Sequence, residues 1–150
     1  MSDLDVATLL PTGAIRLAER AADRDAAVRL CGHVLVESGA VGPEYVDAML
    51  EREASISTYV GEGVAIPHAT LAGKEAVLRD GLCFVRFPAG VDWDGFPVAV
   101  AIGIAAKGDG HVQLLAELAQ VLLDPERVEA LRTAEDAETV VRMLTPAQDD

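Results

Sequence analysis

Residues 98–106 form the longest uninterrupted apolar run in the chain, with the sequence Val-Ala-Val-Ala-Ile-Gly-Ile-Ala-Ala. A strand with one solvated face alternates apolar and polar residues, whereas a strand buried on both faces reads as a continuous apolar run. The run is also far too short to cross a bilayer as a helix. It therefore predicts the central strand of a sheet that is covered by helices on both faces.

Cap and turn residues predict the elements around this strand. Asp23 is a plausible N-cap for a helix that ends near Ser38, and Gly42-Pro43 predicts the start of a second helix. Further predicted features are short strands at 14–18 and 82–87, turns at 88–90 and 92–95, and helices that begin at His111, Asp124-Pro125 and Asp136. Helices separated by short strands give an α/β fold with a single mixed β-sheet and helices on both faces.

Length and charge limit the organisation and the partners. We interpret residues 1–150 as a single domain, with a loosely attached lead-in at 1–13 and a mobile tail at 145–150. The formal net charge of −13 disfavours nucleic acid and anionic membrane surfaces as partners. The acidic N-terminus has no basic signal-peptide region, so we expect a cytoplasmic protein without direct membrane insertion.

No motif for a cofactor or a metal is present in the sequence. Neither a Walker A sequence nor a dinucleotide-binding glycine fingerprint occurs, and no Cys/His spacing matches a zinc site. Cys31 and Cys83 each lie within an apolar pattern, which predicts reduced packing residues. We therefore expect no cofactor and no metal.

The most informative candidate for chemistry is the stretch 58–70, Thr-Tyr-Val-Gly-Glu-Gly-Val-Ala-Ile-Pro-His-Ala-Thr. Its apolar centre predicts a brief buried strand, and Pro67 ends that strand because proline lacks a backbone donor. His68 then lies at the rim of the sheet with small neighbours. A neutral imidazole there is a competent nucleophile. An equally compatible interpretation is a buried histidine satisfied by a carbonyl.

Two further residues have both a structural and a functional interpretation. Arg52 lies in the last predicted turn of the second helix, where it either complements the helix dipole or binds phosphate oxygens with its guanidinium. His111 lies in the first turn of a helix, where it either caps the helix or helps the unpaired N–H groups to bind an anion. His33, in contrast, shares a polar stripe of the first long helix and is expected to have no functional role.

Stretch 58–70 resembles the phosphorylation-site motif of the enzyme IIA domains of the mannitol–fructose family, in the bacterial phosphoenolpyruvate-dependent sugar phosphotransferase system. Weaker similarities occur in the right order on both sides of it. They are the segments 45–53 (Tyr-Val-Asp-Ala-Met-Leu-Glu-Arg-Glu), 87–91 (Phe-Pro-Ala-Gly-Val), 102–106 (Ile-Gly-Ile-Ala-Ala) and 111–114 (His-Val-Gln-Leu). The resemblance thus extends over residues 15–144.

The resemblance implies a phosphotransferase that carries a phosphoryl group between proteins. The carrier protein HPr would phosphorylate His68, and His68 would pass the group to a cysteine of an enzyme IIB domain for uptake of mannitol or a related sugar. Arg52 and His111 match the residues that support the phosphohistidine in the family. The chemistry would need no metal and no cofactor.

Two departures from the family pattern bear on the branch and the sugar. Ala69 occupies a position that is often glycine in the mannitol branch, and segment 92–97 is shorter and less acidic than expected. The mannitol-type branch remains the favoured interpretation. The alternatives are the nitrogen-related regulatory branch, which signals through a similar histidine, and a non-catalytic α/β interaction module whose histidines are structural.

Overall fold

The structure is a computed structural model that describes residues 6–69, 71–107 and 110–145, with residues 71, 72, 74, 110–112 and 114 described by their backbone alone. Five strands form one sheet: β1 (Ile15–Arg16), β2 (Tyr59–Gly61), β3 (Val64–Ala65), β4 (Gly81–Trp93) and β5 (Phe96–Ala105). Their order across the sheet is β1-β4-β5-β3-β2. The pairs β1–β4 and β3–β5 are parallel, whereas β4–β5 and β2–β3 are antiparallel. The sheet is mixed, as predicted.

The predicted central strand is the middle strand of this sheet. Strand β5 has β4 on one side and β3 on the other. Across the apolar run 98–106 every residue is buried except Ala99, which is partly exposed. The absence of polar side chains in the run therefore follows from burial on both faces of the sheet.

Helices cover the sheet on its two faces. The described part of the chain contains α1 (Val6–Leu9), α2 (Arg24–Glu37), α3 (Glu44–Ser55), α4 (Gly110–Leu122), α5 (Pro125–Thr133) and α6 (Ala137–Leu144). Two short 3-10 helices, Thr12–Ala14 and Leu71–Ala76, connect the elements. None of the helices in the described ranges combines the length and the apolar character that crossing a membrane requires.

Two side chains of β4, those of Cys83 and Arg86, show which helices lie on which face of the sheet. The thiol of Cys83 donates to the carbonyl of Cys31 in α2 at 3.4 Å. The guanidinium of Arg86 donates to the carbonyl of Leu131 in α5, also at 3.4 Å. Positions 83 and 86 are an odd number of residues apart and therefore point to opposite faces. Helices α2 and α5 thus lie on opposite faces, and both cysteines are free and buried, as predicted.

The predicted N-caps are confirmed. The side chains of Asp23, Asp124 and Asp136 each accept a hydrogen bond from a backbone N–H in the first turn of α2, α5 and α6. Each cap satisfies one of the donors that a helix N-terminus leaves unpaired. The sequence therefore identifies these three helix starts to within one residue.

The prediction of a loose lead-in is wrong for residues 6–13. Val6 and Leu10 are 1% and 2% exposed and belong to the core. They are four residues apart, so one turn of helix places both on the same face, and that turn contacts β4 and α6. Residues 1–5 and the tail at 146–150 lie outside the described residues.

The prediction of a turn at 88–90 is also wrong, because β4 continues through it. The pairing with β5 shifts between Arg86 and Val91, which marks a bulge, and a bulge tolerates the missing donor of Pro88. Strand β4 lies between β1 and β5 and is therefore an interior strand of the sheet. The turn predicted at 92–95 is confirmed at residues 94 and 95, which connect β4 to β5, whereas residues 92 and 93 still belong to β4.

Candidate functional site

His68 lies where the short strand β3 ends, at the C-terminal end of β5. Strand β3 pairs in parallel with β5. Beyond the end of β3, His68 forms an isolated parallel bridge with Ile104 of β5, and His68 is two residues after Ile66 in the chain. Pro67 between them is buried, whereas His68 is half-buried. The rim position predicted from the sequence is therefore the position that the structure shows.

One ring nitrogen of His68 has an identified partner. The Nδ1 atom lies 2.9 Å from the carbonyl oxygen of Ile66. A carbonyl oxygen only accepts, so Nδ1 carries the proton of the neutral ring and Nε2 carries the lone pair. The carbonyl contact, which the sequence allowed as a purely structural interpretation, thus fixes the tautomer that leaves the lone pair of the neutral ring on Nε2.

The backbone on both sides of His68 is fixed to the sheet. The N–H of Ile104 donates to the carbonyl of Pro67 at 3.0 Å. The N–H of Ala69 donates to the hydroxyl oxygen of Tyr45 at 3.3 Å. That hydroxyl donates in turn to the carbonyl of Ile104 at 2.7 Å. Burial of the Tyr45 phenol raises its pKa to about 12, so it is protonated at neutral pH and available as a donor.

A tight turn precedes β3. Gly61, Glu62 and Gly63 have φ of 99°, 57° and 77°, all in the left-handed region. Two glycines supply this conformation without steric cost, which explains their spacing around Glu62. Arg132 of α5 donates to the carbonyl of Glu62 at 3.1 Å. The turn that leads into β3, and from there to His68, is therefore held by α5, a helix that is distant in sequence.

Arg52 lies in the last turn of α3, as predicted. Its guanidinium donates to the carbonyl of Ile56 at 2.5 Å, which is the contact expected for an arginine at a helix C-terminus. Arg52 is half-buried. Tyr45 at the other end of α3 is seven residues away, about 10 Å along the axis. Helix α3 thus runs beside the His68 segment, with Tyr45 at the level of Ala69.

Glu53, next to Arg52, is a buried carboxylate that connects three elements. It is 2% exposed. Its oxygens accept from the N–H of Thr58 at 2.7 Å, from the hydroxyl of Thr58 at 2.6 Å and from the indole Nε1 of Trp93 at 3.0 Å. The carbonyl of Thr58 accepts from the N–H of Ile66 at 3.0 Å. Glu53 therefore fixes the segment that leads to His68 and orients the end of α3.

His111 is the second residue of α4, which begins at Gly110. Its side chain, together with residues 108 and 109, lies outside the described residues. Strand β5 ends at Ala105, so the chain between β5 and α4 leaves the sheet at the end where Ile104 bridges His68. The structure thus brings His68 and the start of α4 to one end of the sheet. The role of the His111 side chain in supporting a phosphohistidine at His68 stays a prediction. His33 is exposed on α2, as predicted.

Tyr45 and Glu53 are site residues that the sequence analysis missed. Both lie on the buried face of α3, and with Met49 they follow the spacing i, i+4 and i+8. A charged residue at an apolar position of that pattern is a signal for a satisfied buried carboxylate. The described residues contain no group of three or more acidic, histidine or cysteine side chains arranged to hold a metal ion.

Comparisons with known proteins agree on one family. The family model described as phosphoenolpyruvate-dependent sugar phosphotransferase system, EIIA 2, matches residues 8–146. The chain is 42% identical over 137 residues to the mannitol-specific phosphotransferase enzyme IIA component of Halalkalibacterium halodurans, which covers 91% of this chain and 94% of the relative. The chain spans only 21% of longer relatives that are named mannitol-specific EIICBA components.

Solved structures show the same fold. In the complex of enzyme IIA and phosphorylated enzyme IIB of the mannitol system from Escherichia coli, the matched chain has a TM-score of 0.83 and 36% identity, over 91% of this chain and 98% of that one. The nitrogen regulatory protein IIA-Ntr from Neisseria meningitidis has a TM-score of 0.81 and 27% identity, over 93% and 99%. Similarity of fold is therefore nearly equal for the two, whereas sequence identity is higher for the mannitol protein.

Proposed function

Because this chain belongs to the EIIA 2 family of the phosphoenolpyruvate-dependent sugar phosphotransferase system, we propose that it accepts a phosphoryl group on His68 from phosphorylated HPr. It then passes the group to a cysteine of an enzyme IIB domain, in support of the uptake of mannitol or a related sugar. The chain is a phosphotransferase component whose substrates are other proteins. No nucleotide, metal or cofactor takes part in this scheme.

The observation that carries the proposal is the hydrogen bond from His68 Nδ1 to the carbonyl of Ile66. It keeps the proton on Nδ1 and the lone pair on Nε2, at the end of a strand whose backbone is fixed. In the transfer, the P–N bond of the donor phosphohistidine breaks as a P–N bond forms at Nε2. Phosphorus and nitrogen NMR of the phosphorylated protein identify the modified nitrogen, and phosphorylation at Nδ1 would contradict this assignment.

Arg52 and His111 are proposed to stabilise the transferred group without carrying it. A phosphoryl group in transfer spreads negative charge over three equatorial oxygens, so fixed donors around them lower the barrier. Arg52 supports this role by its place in the last turn of α3, next to Glu53, whose carboxylate binds the segment that leads to His68. Its guanidinium would have to exchange the Ile56 carbonyl for phosphate oxygens. His111 supports it by its place in the first turn of α4, where unpaired N–H groups favour an anion.

The onward step is proposed from the named relatives. The Escherichia coli neighbour was solved in complex with phosphorylated enzyme IIB of the mannitol system. For this chain the reaction would break the P–N bond at His68 and form a P–S bond on the IIB cysteine. The test is to mix the phosphorylated protein with a purified mannitol-type IIB domain and to follow the label. Rapid loss of label to the IIB cysteine is the expected result.

The second candidate is a regulatory role in the nitrogen-related branch. The Neisseria meningitidis protein supports it, because its fold matches nearly as well. A regulatory protein would keep its phosphohistidine in the presence of IIB domains, and its binding of another protein would change when a charge of about −2 appears. A label that persists beside each mannitol-type IIB tested would favour this candidate. A non-catalytic module would take no label at all.

A further inference from the structure

The backbone around His68 is fixed by four residues, which we call the Ile104 clamp: Tyr45, Pro67, Ala69 and Ile104. On one side of His68, the N–H of Ile104 donates to the Pro67 carbonyl at 3.0 Å. On the other side, the Ala69 N–H donates to the Tyr45 hydroxyl at 3.3 Å, and that hydroxyl donates to the Ile104 carbonyl at 2.7 Å. Both chain directions from His68 therefore lead to the same strand residue.

Ile104 is a well-anchored attachment point for the backbone around His68. It is fully buried in the central strand β5, and it pairs with Leu82 of β4 on the opposite side from His68. Pro67 has no N–H, so its carbonyl is the backbone group through which it can join the sheet. Ala69 has a methyl side chain that offers no polar anchor. The Tyr45 hydroxyl is thus the described group that attaches the chain just after His68.

Tyr45 also connects the clamp to the helix that carries Arg52. Its side chain is 4% exposed, and burial keeps its hydroxyl protonated. The hydroxyl both accepts and donates in the same network, which only an un-ionised phenol can do. The position of Ala69 is therefore tied to α3, the helix whose last turn contains Arg52 and Glu53.

We propose that Tyr45 is a positioning residue for phosphoryl transfer, and that its hydroxyl holds the His68 backbone in line with the incoming phosphorus. The inference rests on the proposed function of His68. In this role Tyr45 acts on His68 through the Ala69 N–H and the Ile104 carbonyl. In-line transfer is sensitive to placement, and a shift of about 1 Å can lower a rate by about a hundredfold.

Tyr45→Phe removes the hydroxyl and keeps the ring, and Tyr59→Phe is the matched control. The chain has 2 tyrosines. The Tyr59 hydroxyl also accepts from a backbone N–H, that of Gly63 at 3.4 Å, and its ring stacks on Phe96 at 4.8 Å. Gly63 precedes β3, whereas Ala69 follows it, so the control removes the same group at the opposite end of the strand.

The experiment measures transfer from phosphorylated HPr to each protein in single turnovers, over a range of HPr concentrations and well below the melting temperature. For Tyr45→Phe we expect the maximal rate to fall about tenfold or more, with the half-saturating concentration within about twofold of wild type. The Ala69 amide should exchange with solvent about tenfold faster, because it loses its acceptor. Tyr59→Phe should change neither the maximal transfer rate nor the exchange rate of the Ala69 amide.

The outcomes separate this inference from the function on which it rests. A wild-type protein that accepts no phosphoryl group overturns both. A wild-type protein that is labelled, with Tyr45→Phe labelled at the same maximal rate, overturns the positioning role alone. If Tyr45→Phe fails to fold, amide exchange in the wild type decides: protection of Ala69 supports the clamp, and exchange as fast as an unstructured amide overturns it.

Discussion

The carboxylate of Glu53 accepts a hydrogen bond from the indole Nε1 of Trp93 at 3.0 Å, and both side chains are buried. The same carboxylate accepts from the N–H and the hydroxyl of Thr58. A buried charge is tolerated when several donors replace its lost hydration, and three donors do so here. This contact joins the end of α3 to the hairpin of β4 and β5 and to the segment that leads to His68.

Replacement of Glu53 should destabilise the fold in proportion to the donors left unpaired. Glu53→Ala leaves all three without a partner and should cost about 3 kcal/mol or more of unfolding free energy. Glu53→Gln should cost less, about 1–2 kcal/mol, because its amide can donate to the Thr58 hydroxyl while its oxygen keeps the other two bonds. Urea unfolding followed by the fluorescence of Trp93, the 1 tryptophan of the chain, measures both.

Glu51→Ala is the control for these variants, because Glu51 is exposed on the same helix. It should change the unfolding free energy by no more than about 0.5 kcal/mol. Equal losses for Glu51→Ala and Glu53→Ala would mean that the helix, and not the buried carboxylate, accounts for the effect.

Stability should fall at alkaline pH through Tyr45. Burial raises the pKa of this phenol from 10.0 to about 12. The folded-state pKa lies above the unfolded one, so the contribution is complete below pH 10 and is lost as the pH rises through 12. A shift of this size corresponds to about 3 kcal/mol. Unfolding free energies measured across this range should fall less steeply for Tyr45→Phe; identical slopes would contradict the assignment.

Arg52→Ala should slow transfer from phosphorylated HPr about a hundredfold, which corresponds to about 3 kcal/mol, because one fixed donor to the developing charge is lost. His68 should still be labelled slowly. Arg52→Lys should recover the rate only in part, since an ammonium group does not reproduce the planar fork of a guanidinium. Arg29→Ala, at an exposed position of α2, is the control. If Arg52→Ala transferred at the wild-type rate, the role of Arg52 would be limited to its structural contact with the Ile56 carbonyl at the end of α3.

His111→Ala should also slow transfer about a hundredfold, because a donor at the start of α4 is removed. His33→Ala is the matched control: His33 is exposed on α2, so its loss should leave the rate unchanged. The labelling rate under single-turnover conditions checks both variants. Equal rates for the two would show that His111 serves only its helix.

Much of the fold was predictable because local signals and burial agree. The continuous apolar run at 98–106 identified the central strand, three aspartates identified helix starts, and the motif at 58–70 identified the family, which the family model and the relatives confirm. These signals are local in sequence, since each depends on a few adjacent residues.

The wrong predictions concern segments whose structure depends on tertiary contacts and not on the local sequence. Pro88 and Gly90 are typical of a turn, yet pairing with β5 carries β4 past them through a bulge. Val6 and Leu10 form too short a pattern to indicate a packed helix, and their burial depends on β4 and α6. The clamp around His68 was invisible for the same reason, because Tyr45 and Ile104 are far from it in sequence.

The most direct test of the account is the intact mass of the protein after incubation with phosphoenolpyruvate, enzyme I and HPr. We expect wild type to gain the mass of one phosphoryl group, which is lost in acid and kept in base. His68→Ala should keep its fold, since a half-buried rim histidine contributes little to the core, and should gain no mass. Full labelling of His68→Ala, or an unchanged mass of the wild type, would contradict the account.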